Sequence, residues 1–291
     1  MDRSHSLGSR HGVGPRGSLM LIGGNEDRAR DKRVLARFVE LTRQASPQIV
    51  VLTAASQCQQ DMWQLYDRAF ADLGVARRQA LSLSSRQDAD QASAAEAIDQ
   101  ADGIFVTGGD QRRLLSLIGG TRVDAALRRA VEDRGACIGG TSAGASAMSA
   151  RMLSEIAPDK PCQADNVALS DGLGLIRHAV VDQHFAQRCR LGRLLTVVAA
   201  HPDLLGIGID EDTALVLDPG QGLEVIGSGA VTVLDARPLA SQALAPPDQV
   251  SAWLHLHLHV LPAGLRHVDP RLAPESLDDM VRILIDSEFA A

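Results

Sequence analysis

Apolar residues recur along the first half of the chain in two rhythms, one suited to buried strands and one to half-buried helices. Residues 18–22 form a short apolar run closed by Gly23-Gly24, which predicts a strand entering a turn. Over residues 30–46, Val34, Leu35, Phe38, Val39 and Leu41 fall at helical spacing, and Pro47 stops the pattern. The β-branched run 48–52 predicts a second strand. A helix over 61–73 closes on Gly74, and 80–83 supplies a third strand. Residues 91–100 read as a helix, and 103–106 as a strand that ends in Thr107-Gly108-Gly109-Asp110. Helices follow over 111–117 and 122–134. Residues 135–138 form another strand, followed by a turn at Ser142 and a short helix over 145–148.

Strands and helices that alternate through short connections imply a mostly parallel sheet with helices on both faces. The predicted fold is therefore α/β, a three-layer αβα sandwich. Ligand sites in such sheets lie beyond the carboxyl ends of the strands. The glycine-rich turns at 23–24, 108–109 and 139–140 all follow strands at that end and can meet there. The second half is less regular. Residues 179–181 and 205–209 read as strands running into charged residues. Runs at 215–217, 223–226 and 230–234 predict a small antiparallel C-terminal extension, with turns at Pro219-Gly220 and Gly227-Ser228-Gly229. No internal repeat or low-complexity linker divides the chain. One domain is expected over residues 18–291, behind a polar, disordered leader at 1–17.

Composition adds mainly exclusions. A chain of 291 residues can bury a large core without a disulfide or metal staple. Aromatic residues make up only 3%, so the core must rest on Leu, Val, Ile and Ala. The scarcity also disfavours a reader of nucleic acid that stacks bases on rings, as does the net charge of -7. None of Cys58, Cys137, Cys162 and Cys189 sits in a C-x-x-C pair, which fits a reducing, cytoplasmic setting. No apolar run reaches membrane-spanning length.

The chemistry begins at Gly140-Thr141-Ser142-Ala143-Gly144, a G-x-S-x-G run between a predicted strand and a predicted helix. Such a turn lifts the serine oxygen above the sheet and aims the next residue's N–H, here that of Ala143, at a developing oxyanion. Ser142 is the candidate nucleophile, and it needs a base. His184 ends a predicted strand inside Asp182-Gln183-His184-Phe185, where the fold rule places a site. His255, His257 and His259 share one strand face; in a row they do not converge on a metal. An orienting acid is available at another strand end, in Asp210 or Glu211, and residue types alone do not choose between them. Arg188, Arg190 and Arg193 follow the base and could bind a carboxylate. A glutamine amidotransferase would want cysteine where Ser142 stands.

Five ordered runs make the resemblance specific. They are Gly23-Gly24 with Glu26-Asp27, residues 107–111, residues 140–145, residues 182–185 with the trailing arginines, and residues 208–214. Together they resemble the cyanophycinase family, serine peptidases related to the aspartyl dipeptidases. The resemblance implies a glutamine-amidotransferase-like fold and an intracellular, homodimeric exopeptidase without metal or cofactor. Its substrate would be cyanophycin, a poly-aspartate backbone bearing arginines, and its product β-aspartyl-arginine. By position the resemblance implies Ser142 as nucleophile, His184 as base and Glu211, ahead of Asp210, as orienting acid. Gln111, Asp182, Gln183, Arg188, Arg190 and Arg193 would hold substrate, and Gly109 and Ala143 would donate to the oxyanion. Asp182, with Glu26 or Asp27, would receive the substrate's guanidinium. The stretch 152–171 departs from the family pattern beside the site. A smaller aspartyl or isoaspartyl peptide is therefore the alternative substrate.

Overall fold

In the computed structural model, which describes residues 17–153, 168–239, 256–267 and 284, the apolar runs of the first half pair as one sheet. Its parallel part contains β1 (Leu19–Ile22), β2 (Gln48–Leu52), β3 (Arg77–Leu81), β4 (Gly103–Val106) and β5 (Cys137–Thr141), in the order β1-β5-β4-β2-β3. Period-two alternation sends Leu19, Leu21, Val50, Leu52, Ile104 and Val106 to one face. Met20, Ile22, Ile49, Val51 and Phe105 go to the other. Helices α1 (Arg33–Leu41) and α2 (Gln59–Asp72) cover the second face with Phe38, Tyr66 and Phe70. The first face is covered by α4 (Ala92–Asp99), α5 (Gln111–Ile118) and α6 (Arg122–Glu132), which follow the short α3 (Arg86–Ala89). The result is the expected three layers.

The nucleophile region follows, with α7 (Ala143–Ala147) directly after β5 and a small ladder of β6 (Arg151–Leu153) with β7 (Leu169–Asp171). The second half builds two structures. A separate sheet, ordered β13-β12-β9-β8, contains β8 (Ala179–Asp182), β9 (Leu205–Ile209), β12 (Ala230–Asp235) and β13 (His257–Pro262). Its outer face is covered by α8 (Leu191–Ala200) through Leu194, Val197 and Val198. Its inner face, with Val181, Ile207 and Val233, joins the core beneath the main sheet. The remaining strands, β10 (Thr213–Asp218), β11 (Gly222–Gly227) and β14 (Arg266–His267), extend the main sheet antiparallel from β1. The antiparallel extension is thus divided between two sheets.

Several boundaries differ from the sequence reading, each for a local reason. α1 begins at Arg33, not near 30, because the Asp27 carboxylate accepts the N–H groups of Ala29, Arg30 and Lys32 and holds them in a turn. β3 starts at Arg77: it is an edge strand with Arg77 exposed, so apolar residues do not announce it. The four-residue α3 was not predicted, although Ser85 and Asp88 form a capping box. β5 runs through Thr141, so Gly139 and Gly140 lie inside a strand. A Cβ on Gly139 would stand 2.8 Å from the Phe38 ring, which packs there instead. The leader up to residue 16, the stretch 154–167 and His255 lie outside the described residues.

Candidate active site

Sheet register brings four loops to one place. β1 and β5 are parallel with Ile22 opposite Thr141, so Gly23-Gly24 and Ser142 emerge side by side. β10 is antiparallel to β1 with Ala214 opposite Ile22, so residues 210–212 begin at the same edge. β8 ends level with β9, Asp182 opposite Gly208, and carries His184 in beside them. The loop after β4 brings Gly108 and Gly109.

Ser142 has φ 51° and ψ -114°, a left-handed φ that costs a residue with a side chain about 1–3 kcal/mol. Its neighbours offset that strain. The Ser142 N–H donates to Ile22 C=O at 2.9 Å, and its own C=O accepts from Ala145 and Ser146 at 3.0 and 3.1 Å. The flanking glycines permit the tight turn: a Cβ on Gly144 would sit 2.4 Å from the Val106 carbonyl oxygen.

The Ser142 Oγ lies 2.8 Å from His184 Nε2, and His184 Nδ1 lies 2.7 Å from Glu211 Oε1. A carboxylate only accepts, so Nδ1 carries the proton and Nε2 is free to accept from the hydroxyl. The acid is itself held: Asn25 Nδ2 donates to Glu211 Oε2, and the Glu211 N–H donates to Gln187 Oε1, both at 3.0 Å. Asp210 turns away, its two oxygens accepting the N–H groups of Ala186 and Ala230 at 3.0 Å each. Gly24, at φ 98°, backs the imidazole.

Burial pushes the His184 pKa below the ordinary histidine value, against the pull of its hydrogen bond to Glu211; Arg188 and Arg190 push it down further. The hydrogen bonds from His184 and Asn25 hold the Glu211 carboxyl below its ordinary value. Near neutral pH the arrangement is a neutral imidazole beside a carboxylate, poised to take a proton from Ser142. Ala143 is the first residue of α7, where a backbone N–H has no partner within the helix. Ala143 directly follows Ser142, and Ser142 and Gly109 line one cavity of about 350 Å³.

The residues expected to hold substrate divide. Arg188 is exposed and close enough to act electrostatically on both His184 and Glu211. Asp182 is fully buried, and the guanidinium groups it receives are the chain's own. Arg193 Nε reaches Asp182 Oδ2 at 2.6 Å, and Arg190 Nη1 reaches Oδ1 at 3.1 Å. Arg190 Nη1 also bonds the carbonyl and side-chain oxygens of Gln183, at 2.6 and 2.7 Å. Gln111 Nε2 donates to the Leu153 carbonyl at 3.1 Å. Glu26 and Asp27 are engaged as well, Glu26 by Thr141 and Tyr66 and Asp27 by the turn before α1. The expectation that either receives a substrate guanidinium is corrected, because their oxygens already have partners. Sequence reasoning missed Asn25, Gln187 and the backing role of Gly24; only their proximity to Gly23 and His184 marked them.

Among the described residues no three His, Cys, Asp or Glu side chains gather as a metal would need. Cys58, Cys137 and Cys189 are free thiols, and burial pushes the Cys137 thiol up. No described helix is long and apolar enough to cross a membrane.

The sequence matches the family model described as Peptidase family S51 over residues 19–225. It is 36% identical over 253 residues to a cyanophycinase from Synechococcus elongatus, covering 86% of this chain and 79% of that one. A cyanophycinase from Trichormus variabilis is 32% identical over 266 residues, covering 91% and 89%. Among solved structures, a peptidase from an acI-B1 Actinobacterium superposes with a TM-score of 0.67 at 22% identity, covering 88% of this chain and 98% of that one.

Proposed function

The chain belongs to peptidase family S51, and from that premise we propose that it hydrolyses cyanophycin as a serine-type exopeptidase, releasing β-aspartyl-arginine. The observation that carries this reading is the hydrogen-bonded chain from Ser142 through His184 to Glu211 inside one cleft. Its relatives named cyanophycinase, matched over most of both chains, support the choice of substrate.

In the proposed mechanism, Ser142 Oγ attacks the scissile carbonyl as His184 Nε2 takes its proton. The N–H groups of Ala143 and Gly109 stabilise the oxyanion. Glu211 holds the Nδ1 tautomer and stabilises the imidazolium. His184 then protonates the leaving amine, which leaves an acyl-enzyme on Ser142. Water, activated by the same imidazole, hydrolyses it without a metal. Arg188 takes a substrate carboxylate at the mouth, while Gln183 holds Arg190 and Gln111 braces β6 through the Leu153 carbonyl. Asp182 contributes by fixing Arg190 and Arg193 in place. The reading includes a homodimer and a cytoplasmic location; free thiols among the described residues support the latter.

The test is release of β-aspartyl-arginine from purified cyanophycin by wild type and Ser142→Ala. Wild type should release the dipeptide and the variant should lose at least about 10³-fold in rate. A folded wild type that leaves cyanophycin intact but cleaves small aspartyl peptides would move the substrate to those peptides.

A further inference from the structure

Among the described residues, the mechanism leaves one cation that lines the cleft unused. Arg28 lines the same cavity as Ser142, His184 and Glu211. Its side chain is 31% exposed, so it is neither buried away nor loose in solvent. The loop that carries it is tied down on both sides. The Asp27 N–H donates to Asp212 Oδ1 at 2.9 Å, and the Asp27 carboxylate gathers the next N–H groups.

The guanidinium is held from one end only. Arg28 Nη1 lies 3.3 Å from Tyr66 Oη and 3.5 Å from Glu26 Oε1, and the group stands 5.7 Å from the Tyr66 ring centroid. Nε and Nη2 have no partner among the described residues. The plain alternative is that Arg28 serves only as a counterion to buried Glu26. That carboxylate is already satisfied, accepting from Thr141 Oγ1 at 2.6 Å and from Tyr66 Oη. Its contact with Arg28 is the longest of the three. A planar fork oriented by an aromatic ring and a buried carboxylate, with one edge left over, suits bidentate recognition of a carboxylate.

We propose that Arg28 is a specificity-determining residue of this cleft, pairing through Nε and Nη2 with a carboxylate that the substrate carries next to the bond under attack. The proposal rests on reading the cleft as the substrate site, and it deepens that reading by assigning the chemistry of its inner wall. Glu26 and Tyr66 act as positioning residues that hold Arg28, and Glu26 ties it to Thr141, the residue before the nucleophile.

The test is calorimetric titration of succinate, a dicarboxylate with the carbon skeleton of aspartate, into wild type, Arg28→Gln and Arg28→Lys, with neutral succinamide as the control. Succinate should bind Arg28→Gln about 10- to 100-fold more weakly than wild type, the range for a lost charge-assisted pair. Arg28→Lys keeps the charge without the fork and should fall between them. Succinamide should bind all three alike, whereas a merely misfolded variant would lose both ligands. Equal succinate affinity in wild type and Arg28→Gln, or no binding of succinate to wild type, overturns the proposal. Succinate binding that depends on Arg28, in a protein that leaves cyanophycin intact, would remove the polymer as substrate and keep the carboxylate subsite.

Discussion

At Gly24 a hydrogen stands where any other residue would place a carbon, and the imidazole of His184 fills that space. A Cβ there would lie 2.4 Å from His184 Cε1, and φ 98° disfavours a side chain in any case. Gly24→Ala should displace the ring and lower kcat for dipeptide release by at least about 10²-fold, since a misplacement near 1 Å has that effect. A change in KM alone would show that the ring stays in place. The pH profile tests the base itself. Neutral imidazole is the active form, so kcat/KM should fall with pH through the His184 pKa, and that limb should lie below the ordinary value of about 6.5. Arg188 disfavours the imidazolium, so Arg188→Gln should move the limb up; Glu211 favours it, so Glu211→Gln should move the limb down while cutting kcat steeply. Unshifted limbs in both variants would mean that another group sets the profile.

At the scale of elements, the joint between β8 and α8 decides where the base sits. Asp182 ends β8 at full burial, Arg190 immediately precedes α8, and Arg193 lies in its first turn. The buried carboxylate ties strand to helix across the loop that holds His184, whose N–H is fixed to the Gly23 carbonyl at 2.8 Å. Removing one partner of a buried ion pair leaves a desolvated charge unpaired. Asp182→Asn should therefore lower stability by about 3–5 kcal/mol in guanidinium denaturation. A loss below about 1 kcal/mol would show that the arginines find water instead. The same burial explains why these residues looked like substrate ligands in sequence. A charged run after a base suits binding, and only the packing of α8 turns it inward.

At the scale of the whole molecule, the second sheet ends, among the described residues, in β13, on which Leu258 and Val260 are 48% and 57% exposed. Two apolar side chains at i and i+2 share one face of that strand, a surface suited to a second copy of the chain. Light scattering should give twice the mass of the chain for wild type. Lysine at both positions should shift the mass toward that of a single chain. A wild type that scatters as one chain across micromolar concentrations would sink the dimer.

The parallel half of the fold was legible because most of its buried strands are apolar runs and its longer helices show a 3.6-residue stripe, patterns that local burial alone imposes. The nucleophile and base were legible because a G-x-S-x-G turn and a histidine at a strand end are local features with local causes. The edge strand β3, the split of the antiparallel strands between two sheets and the choice of Glu211 over Asp210 were not. Each depends on which distant segment lies alongside: β2 beside Arg77, β1 beside Thr213, Ala230 beside Asp210. Residue type sets what a side chain can do. Strand register and helix packing decide what it meets, and so Arg193 became an internal tie while Arg28, unremarked in the sequence, came to line the cleft.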